Sequence, residues 1–435
     1  MAMADAQSLR YSRYGLAMLF AVALFNYIDR SIISILQEPL KADLKLSDTQ
    51  LGALTGLSFA ILYSTLALPI ARLADKWSRK RLIAGALAIW SAATAACGLA
   101  NNFATLVAFR MGVAFGEAGC VPASHSLIAD YFPLRQRATA LAVWGLSSPF
   151  GTMLGFAAGG WITQAMSWRE AFLVFGIVGV AMAPLVLTIK EPLRGRFDEH
   201  KDERAQLPLR EALGVLWKSR AFRFLAAGGA AHAFVLYTVQ NWNAPFYGRV
   251  HEMPLKQVAF LLALAFGLGG GIGQFLGGAL ADRLGRKDRR WYMWTPAVGS
   301  ALLIPASLAT YLVADTKVSI VFVALQSMLL FVYTAPVVAT AQMLVAPQMR
   351  AFTSAMLVLI VNLFGLSLGP LLTGVISDAL QPIYGSQSLR YAIPCSIAME
   401  VLAALCFFCS ARCLPRELKG DAAQGAGAGA ELARA

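Results

Sequence analysis

Apolar residues run along this chain in long blocks, without the alternating or amphipathic spacing of a soluble core. Windows of about 20 residues, the length that crosses a hydrocarbon layer of roughly 30 Å, recur twelve times. They fall near 15–36, 49–71, 82–100, 104–128, 139–163, 171–189, 223–247, 257–281, 292–313, 318–345, 352–377 and 391–412. Backbone donors and acceptors inside lipid must be satisfied within the segment, so blocks of this length read as helices. Gly and Pro inside several of them are tolerated there. The expected fold class is an all-α membrane protein with twelve transmembrane helices.

Composition agrees: 58% of residues are apolar and 14% charged, against about 25% charged in an ordinary soluble domain. Most of the 37 Lys and Arg lie in the N-terminus, the even-to-odd connections and the C-terminus. Only Lys41, Lys45, Arg169, Arg249, Lys256, Lys317 and Arg390 lie on the opposite side, and Arg30 and Arg110 lie within windows. Basic loops stay in the cytoplasm, so both termini are expected there, in a multi-pass protein of the cell (inner) membrane. The net charge of +13 is then a topology charge at an anionic membrane surface, and no nucleic-acid partner is needed. The first window is too long for a secretory signal and lacks a small-residue cleavage pattern, so it is expected to remain as a span. Cys97, Cys120, Cys395, Cys406, Cys409 and Cys413 show no paired metal spacing, and no metal site is expected.

The chain repeats itself. ARLADKWSRKR (71–81) follows the second window and GGALADRLGRK (277–287) the eighth; FPLRQRATA (132–140) after the fourth is echoed by APQMRAFTS (346–354) after the tenth. GTMLGFAAG (151–159) and GLSLGP (365–370) both place Gly at every fourth position, on one helix face where backbones can approach. Two pseudo-symmetric six-helix halves follow, 15–189 and 223–412, after a cytoplasmic N-terminus at 1–14. They are joined by a charged linker at 190–222, in which LPLREALGVLW (207–217) reads equally as an interfacial helix or as plain linker. The low-complexity tail within 413–435 is expected to be disordered.

Two such halves carrying Gly278, Asp282, Arg283, Gly285, Arg286 and Lys287 in the pattern GxxxDRxGRK resemble the major facilitator superfamily (MFS) of secondary transporters. The N-terminal copy departs from the pattern at Ala71 and Ser78. Within the superfamily, NYIDRS (26–31), FRMGVAFGEAGCVPASHSLIADYFP (109–133) and WREAF (168–172) look like the spinster branch in a bacterial form. The resemblance implies alternating access. It also implies proton coupling and substrate recognition by the Asp and Arg of the first motif and the Arg and Glu of the fourth span, and substrates of the sphingolipid or lysophospholipid class.

The residues give these expectations physical content. Asp29, Arg30, Arg110 and Glu117 lie deep in the first half, with no acidic or basic residue read as deep in the second. Each costs about 2.5–3.5 kcal/mol at a helix centre on insertion scales, so they must pair or line water. Arg110 and Glu117, seven apart, share a helix face. The economical arrangement crosses the helices, Asp29 with Arg110 and Glu117 with Arg30, although spacing leaves other pairings open. A static charge lock is one reading. In the other, Asp29 and Glu117 couple to protons while Arg30 and Arg110 serve as charge partners or headgroup ligands. Burial favours a protonated carboxyl and a neighbouring arginine the charged one, so exchanging water for arginine loads and unloads a proton.

Asp75, Arg137, Asp282 and Arg350 are the expected cytoplasmic gate. Asn26, His125, Tyr237, Gln240, Asn241, Tyr333 and Asn362 are cavity candidates; Gln326 and most of these also read as helix-to-helix hydrogen bonds. The expected function is proton-coupled transport of an amphipathic or anionic, lipid-like molecule by a monomer in the bilayer, with the proton gradient in place of a cofactor. A passive facilitator, a small-organic-anion or drug transporter and a non-transporting receptor of the same fold are the alternatives. The chain shows no Gly-Lys pair of the phosphate loop of an ATP-driven pump, and the HExxH and GxSxG of a membrane enzyme are not expected in it; no enzyme is expected.

Overall fold

The computed structural model describes residues 2–194, 197, 209–346 and 349–432. Among them every regular element is helical. Among the described residues nine stretches are long and apolar enough to cross a membrane: Tyr11–Ile35, Phe103–Tyr131, Arg135–Ala165, Trp168–Val186, Arg220–Val250, Leu255–Gly285, Trp291–Leu312, Thr316–Met343 and Phe352–Leu418. The last spans 67 residues and contains both final windows, separated by a 3₁₀ turn at Gly385–Gln387. The windows at 49–71 and 82–100 are helical too, but Arg79–Cys97 opens on three cations, and several side chains between 67 and 76 lie outside the described residues. Asp75, expected at the gate, is one of those. Outward faces carry large apolar side chains such as Phe275 (75% exposed) and Val321 (68%), a surface suited to acyl chains and not to water.

Four helix starts at the Lys/Arg-poor end are capped by side chains. Ser47 and Gln50 form a reciprocal capping box, Asn102 accepts from the Thr105 N–H, Ser167 from Arg169, and Asp315 from Lys317 and Val318. Each satisfies amides that the first helical turn leaves without partners. The linker contains a helix, Leu209–Lys218, whose Ala212 and Leu216 are buried in a core with Phe222, Leu225, Leu344 and Leu414. The tail expected to be disordered continues the helix Met399–Leu432; it is rich in alanine, the strongest helix former, with no proline after Pro415.

Packing divides the chain differently from sequence. One unit is Met1–Glu203 with Val239–Leu268 and Pro370–Ala392; the other is Arg204–Thr238, Gly269–Gly369 and Ile393–Ala435. The first therefore contains the N-terminal half together with the Lys/Arg-poor ends of C-terminal helices. Within it, Ser34 donates to Asn241 Oδ1 (3.0 Å) and Gln37 to the Asn241 carbonyl (3.0 Å). Arg249 makes a fork to Asp48 (2.7 and 2.8 Å) and reaches Glu38 (2.7 Å). Lys41 and Ser377 also donate to Asp48, and Asp378 accepts the amides of Asp48 and Thr49 (3.0 and 2.8 Å). This latch joins segments from both sequence halves.

The glycine faces work as expected from their spacing. A Cβ on Gly155 would stand 2.8 Å from the Ile28 carbonyl, so the helix Ser147–Ala165 lies directly against the backbone of the helix Ala2–Ile35. In the second unit, Gly369 makes the equivalent approach to the Phe234 carbonyl.

Gly155→Val is expected to lower the thermal unfolding midpoint, at an overpacking cost of about 1–3 kcal/mol. Gly145→Ala, where a Cβ meets nothing within 4 Å, is the control; equal midpoints for the two would refute the close approach. For the latch, burial pushes the Asp48 carboxyl up, while Arg249, Lys41 and Ser377 outweigh it and hold the carboxyl below its ordinary 3.8. A depressed carboxyl contributes stability that is complete above its unfolded value and is lost as pH falls through the folded one. Asp48→Asn should therefore destabilise the protein at pH 7 by on the order of 2–4 kcal/mol. That deficit should begin to shrink below pH 3.8, where the unfolded chain takes up the proton, and close as pH falls through the lower folded value; an undiminished deficit in acid would show that the charge is not what holds the latch.

Candidate functional site

The four charges meet inside the first unit. Arg30 Nε donates to Glu117 Oε2 at 2.8 Å, and Arg110 Nη1 stands 3.8 Å from Asp29 Oδ1. The arrangement is the crossed one. Helical geometry is consistent with it, since Asp29 and Arg30 are about 100° apart on one helix. Asp29, Arg110 and Glu117 are buried, while Arg30 keeps 23% of its side-chain exposure.

The two pairs differ in quality. The Arg30 guanidinium lies over the stacked rings of Phe59 and Tyr63, 4.9 and 4.7 Å from their centroids, which adds cation–π attraction to its ion pair. Arg110 at 3.8 Å is outside hydrogen-bond range of Asp29. Its Nε and Nη1, Asp29 Oδ1 and Glu117 Oε1 are buried without hydrogen-bond partners. Asp29 Oδ2 accepts from Thr94 (2.9 Å), and beside it is a cavity of about 10 Å³ lined by Asp29, Ser91, Thr94 and Trp90, roughly one water in size. Asp29–Arg110 is thus a loose pair with room for water, and Arg30–Glu117 a tight one.

The cavity candidates separate. Asn26 is buried close in sequence to Asp29, its Nδ2 without a hydrogen-bond partner. Asn241 is drawn into the latch and Gln240 is half-buried beside it. His125 is exposed, its ring 4.7 Å from Trp144. In the second unit Tyr237 donates to Asn362 Oδ1 (3.1 Å), Tyr333 packs on His232, and Gln326 donates to Ser307 (2.9 Å), a helix-to-helix bond.

Asp282 is exposed and accepts from Tyr292 (2.8 Å); among the described residues it forms no ion pair. A phenol on the next helix reaches it across the short turn, where the expectation had a cation. Arg350 is exposed, and Arg137 donates to the Ala129 carbonyl (2.8 Å). The same end of the first unit is instead organised by Arg79, which sequence reasoning passed over. It is buried between Asp130 and Glu191, with Ser126 Oγ at 2.9 Å and the Pro192 carbonyl at 3.1 Å. Glu191 also accepts the Arg79 amide (2.8 Å), closing the start of its helix. The signal was present in SRKR and LIADYFP, but a basic loop reads first as topology.

A second omission corrects the expectation that the C-terminal half holds no deep charge. Glu400 and His232 are both buried there and paired at 2.6 Å. GLSLG (365–369) does spell the GxSxG of serine hydrolases, correcting the expectation that the motif is absent; Ser367 is helical and bonded to the Leu363 carbonyl, without the strand-to-turn context of a nucleophile.

The chain matches the family model of the Major Facilitator Superfamily over residues 19–370. An MFS-type efflux pump of Mycolicibacterium smegmatis is 33% identical over 428 residues, 96% of this chain and 97% of the pump. Protein spinster homolog 3 of Danio rerio is 26% identical, over 92% of this chain and 85% of that protein. The crystal structure of a bacterial homolog to the human lysosomal transporter Spinster, inward-facing and unoccupied, superposes with a TM-score of 0.84 at 28% identity, covering 94% of this chain and 98% of that one. Apolar helices, paired repeats, an intramembrane charge cluster and these likenesses converge: the chain belongs to the Major Facilitator Superfamily, as a spinster-like member.

Proposed function

We propose that this spinster-like transporter is driven by protons, with Asp29 as the primary proton acceptor and Arg110 as the group its protonation sets free. The observation that carries this reading is the contrast between the two ion pairs. Arg30 is fixed by Glu117 and two rings, whereas Arg110 is held to Asp29 only across 3.8 Å, beside a water-sized cavity. Protonating Asp29 removes the Coulomb attraction at small cost in hydrogen bonds, and Arg110 then seeks another anion. A substrate with an anionic head supplies one, while its apolar portion suits helices lined by Phe, Trp and Leu. Proton binding and substrate binding are thereby linked through one guanidinium, and alternating access exposes that site to each side in turn.

An amphipathic, lipid-like substrate fits these groups and the spinster likeness. A small organic anion or drug is the second reading, favoured by the 33% identity to an efflux pump and by a Hexuronate transporter of Bacillus subtilis at 26%. The Arg110 mechanism serves either.

The test is accumulation in proteoliposomes under an imposed pH gradient, with a fluorescent lysophospholipid and, separately, a hexuronate as probes. Wild type is expected to accumulate one of them. Asp29→Asn should reduce it to the level without a gradient, Arg110→Lys should weaken substrate binding, and Glu117→Gln should act more mildly by loosening Arg30. Gradient-driven accumulation that survives in Asp29→Asn and in Glu117→Gln sinks the proton reading; equal uptake with and without the gradient in wild type makes the protein a passive facilitator.

A further inference from the structure

The buried pair His232–Glu400 lies outside the four-charge cluster, in the unit Arg204–Thr238, Gly269–Gly369, Ile393–Ala435. His232 stands on the helix Arg220–Val250 and Glu400 on Met399–Leu432. Their side chains are 1% and 0% exposed. His232 Nε2 is 2.9 Å from the Leu330 carbonyl, and Nδ1 is 2.6 Å from Glu400 Oε1, with Ser300 Oγ at 3.3 Å. The Tyr333 ring centroid is 4.1 Å from the imidazole and that of Phe407 6.4 Å, and Tyr237 lies near Tyr333. Among the described residues no cation reaches the pair, and Glu400 Oε2 has no hydrogen-bond partner.

These contacts fix a proton count. A backbone carbonyl only accepts, so Nε2 carries a hydrogen and donates it to Leu330. With Nε2–H assigned, a neutral imidazole presents a bare lone pair at Nδ1. A carboxylate oxygen 2.6 Å away presents another, and two acceptors do not rest at that distance without a proton between them. The proton sits either on Nδ1 of an imidazolium or on the carboxyl of Glu400; the pair as a whole holds one in both cases. A metal cation does not fit between atoms so close.

We propose that His232–Glu400 is a second proton-binding site of this transporter, separate from Asp29 and Glu117. Losing its proton leaves an unpaired carboxylate and two opposed lone pairs in a buried site, which the structure relieves only by parting Glu400 from His232. Release of the proton is therefore tied to separation of the helices Arg220–Val250 and Met399–Leu432, and through Leu330 to the end of Thr316–Phe331. Side chains unfolded in water hold no such proton above the ordinary histidine value of about 6.5. The folded state binds one proton more, and its stability falls with rising pH.

The test uses the full chain in nanodiscs, with folding stability followed by chemical denaturation from pH 7 to pH 9. Each pH unit in that window should cost wild type a further tenfold in the folding constant relative to Glu400→Gln, whose amide donates to Nδ1 without a bound proton. His232→Gln, which lets Glu400 accept without a proton, should flatten the dependence in the same way. Asp29→Asn/Glu117→Gln should keep the wild-type difference, so that failure of the Asp29 mechanism and failure of this site are read separately. Pair variants with the same pH dependence as wild type overturn the proposal. Should neither fold, wild type decides: stability that does not fall across this window overturns the site, and a fall of tenfold per unit that persists in Asp29→Asn/Glu117→Gln supports it.

Discussion

A charge inside hydrocarbon must be matched there, because the alternative costs several kcal/mol per group, and this requirement organises the molecule. Asp29 and Arg30 on one helix and Arg110 and Glu117 on another bind those two helices of the first unit into one polar core. Arg79 does the same at the Lys/Arg-rich end through Asp130 and Glu191. Asp48 does it at the opposite end through Arg249. Each site draws partners from segments distant in the chain, so each also decides which helices are neighbours. The glycine faces serve the same end: by letting the helix Ser147–Ala165 lie against the Ile28 carbonyl, they fix the helix that carries Asp29.

Buried ion pairs are weak evidence for stability and better evidence for specificity or switching. The cluster shows why the two arginines are not equivalent. A guanidinium laid on two stacked rings and bonded to a carboxylate has its contacts filled. One held at 3.8 Å, with two nitrogens lacking partners, is satisfied only in part, and partial satisfaction is what allows a change of partner at low cost.

Much of this was legible in the chain. Block hydrophobicity gave the helices, and the rarity of charge in apolar windows singled out Asp29, Arg30, Arg110 and Glu117. Their crossed pairing was one economical arrangement among several that 100° per residue allows, and only the fold selects it. The latch was not legible, because Glu38, Lys41, Asp48 and Arg249 lie at window edges, where charges are expected to meet water. Asp282 was read as a partner of basic residues such as Arg137 and Arg350, and in the structure it accepts from Tyr292. Glu400 and His232 escaped because each is single in its window; only the fold brings helices 168 residues apart into contact. The packing units also cross the sequence halves, since helices are continuous in the chain while contacts change along their length.

Among the described residues three helices contain a π-helical turn: Ala53–Leu57, Ala265–Gly269 and Asn362–Leu366. The first two occupy matching places in the two repeats. A π turn accommodates one residue more than an α turn, so everything beyond it is displaced about 100° around the axis relative to an unbroken helical wheel. Faces assigned by counting from the start of these helices are therefore wrong past Leu57, Gly269 and Leu366. Phe59 illustrates the point: the ring that bears Arg30 and Arg110 comes two residues after such a turn, and it owes its orientation toward the charges to the extra residue.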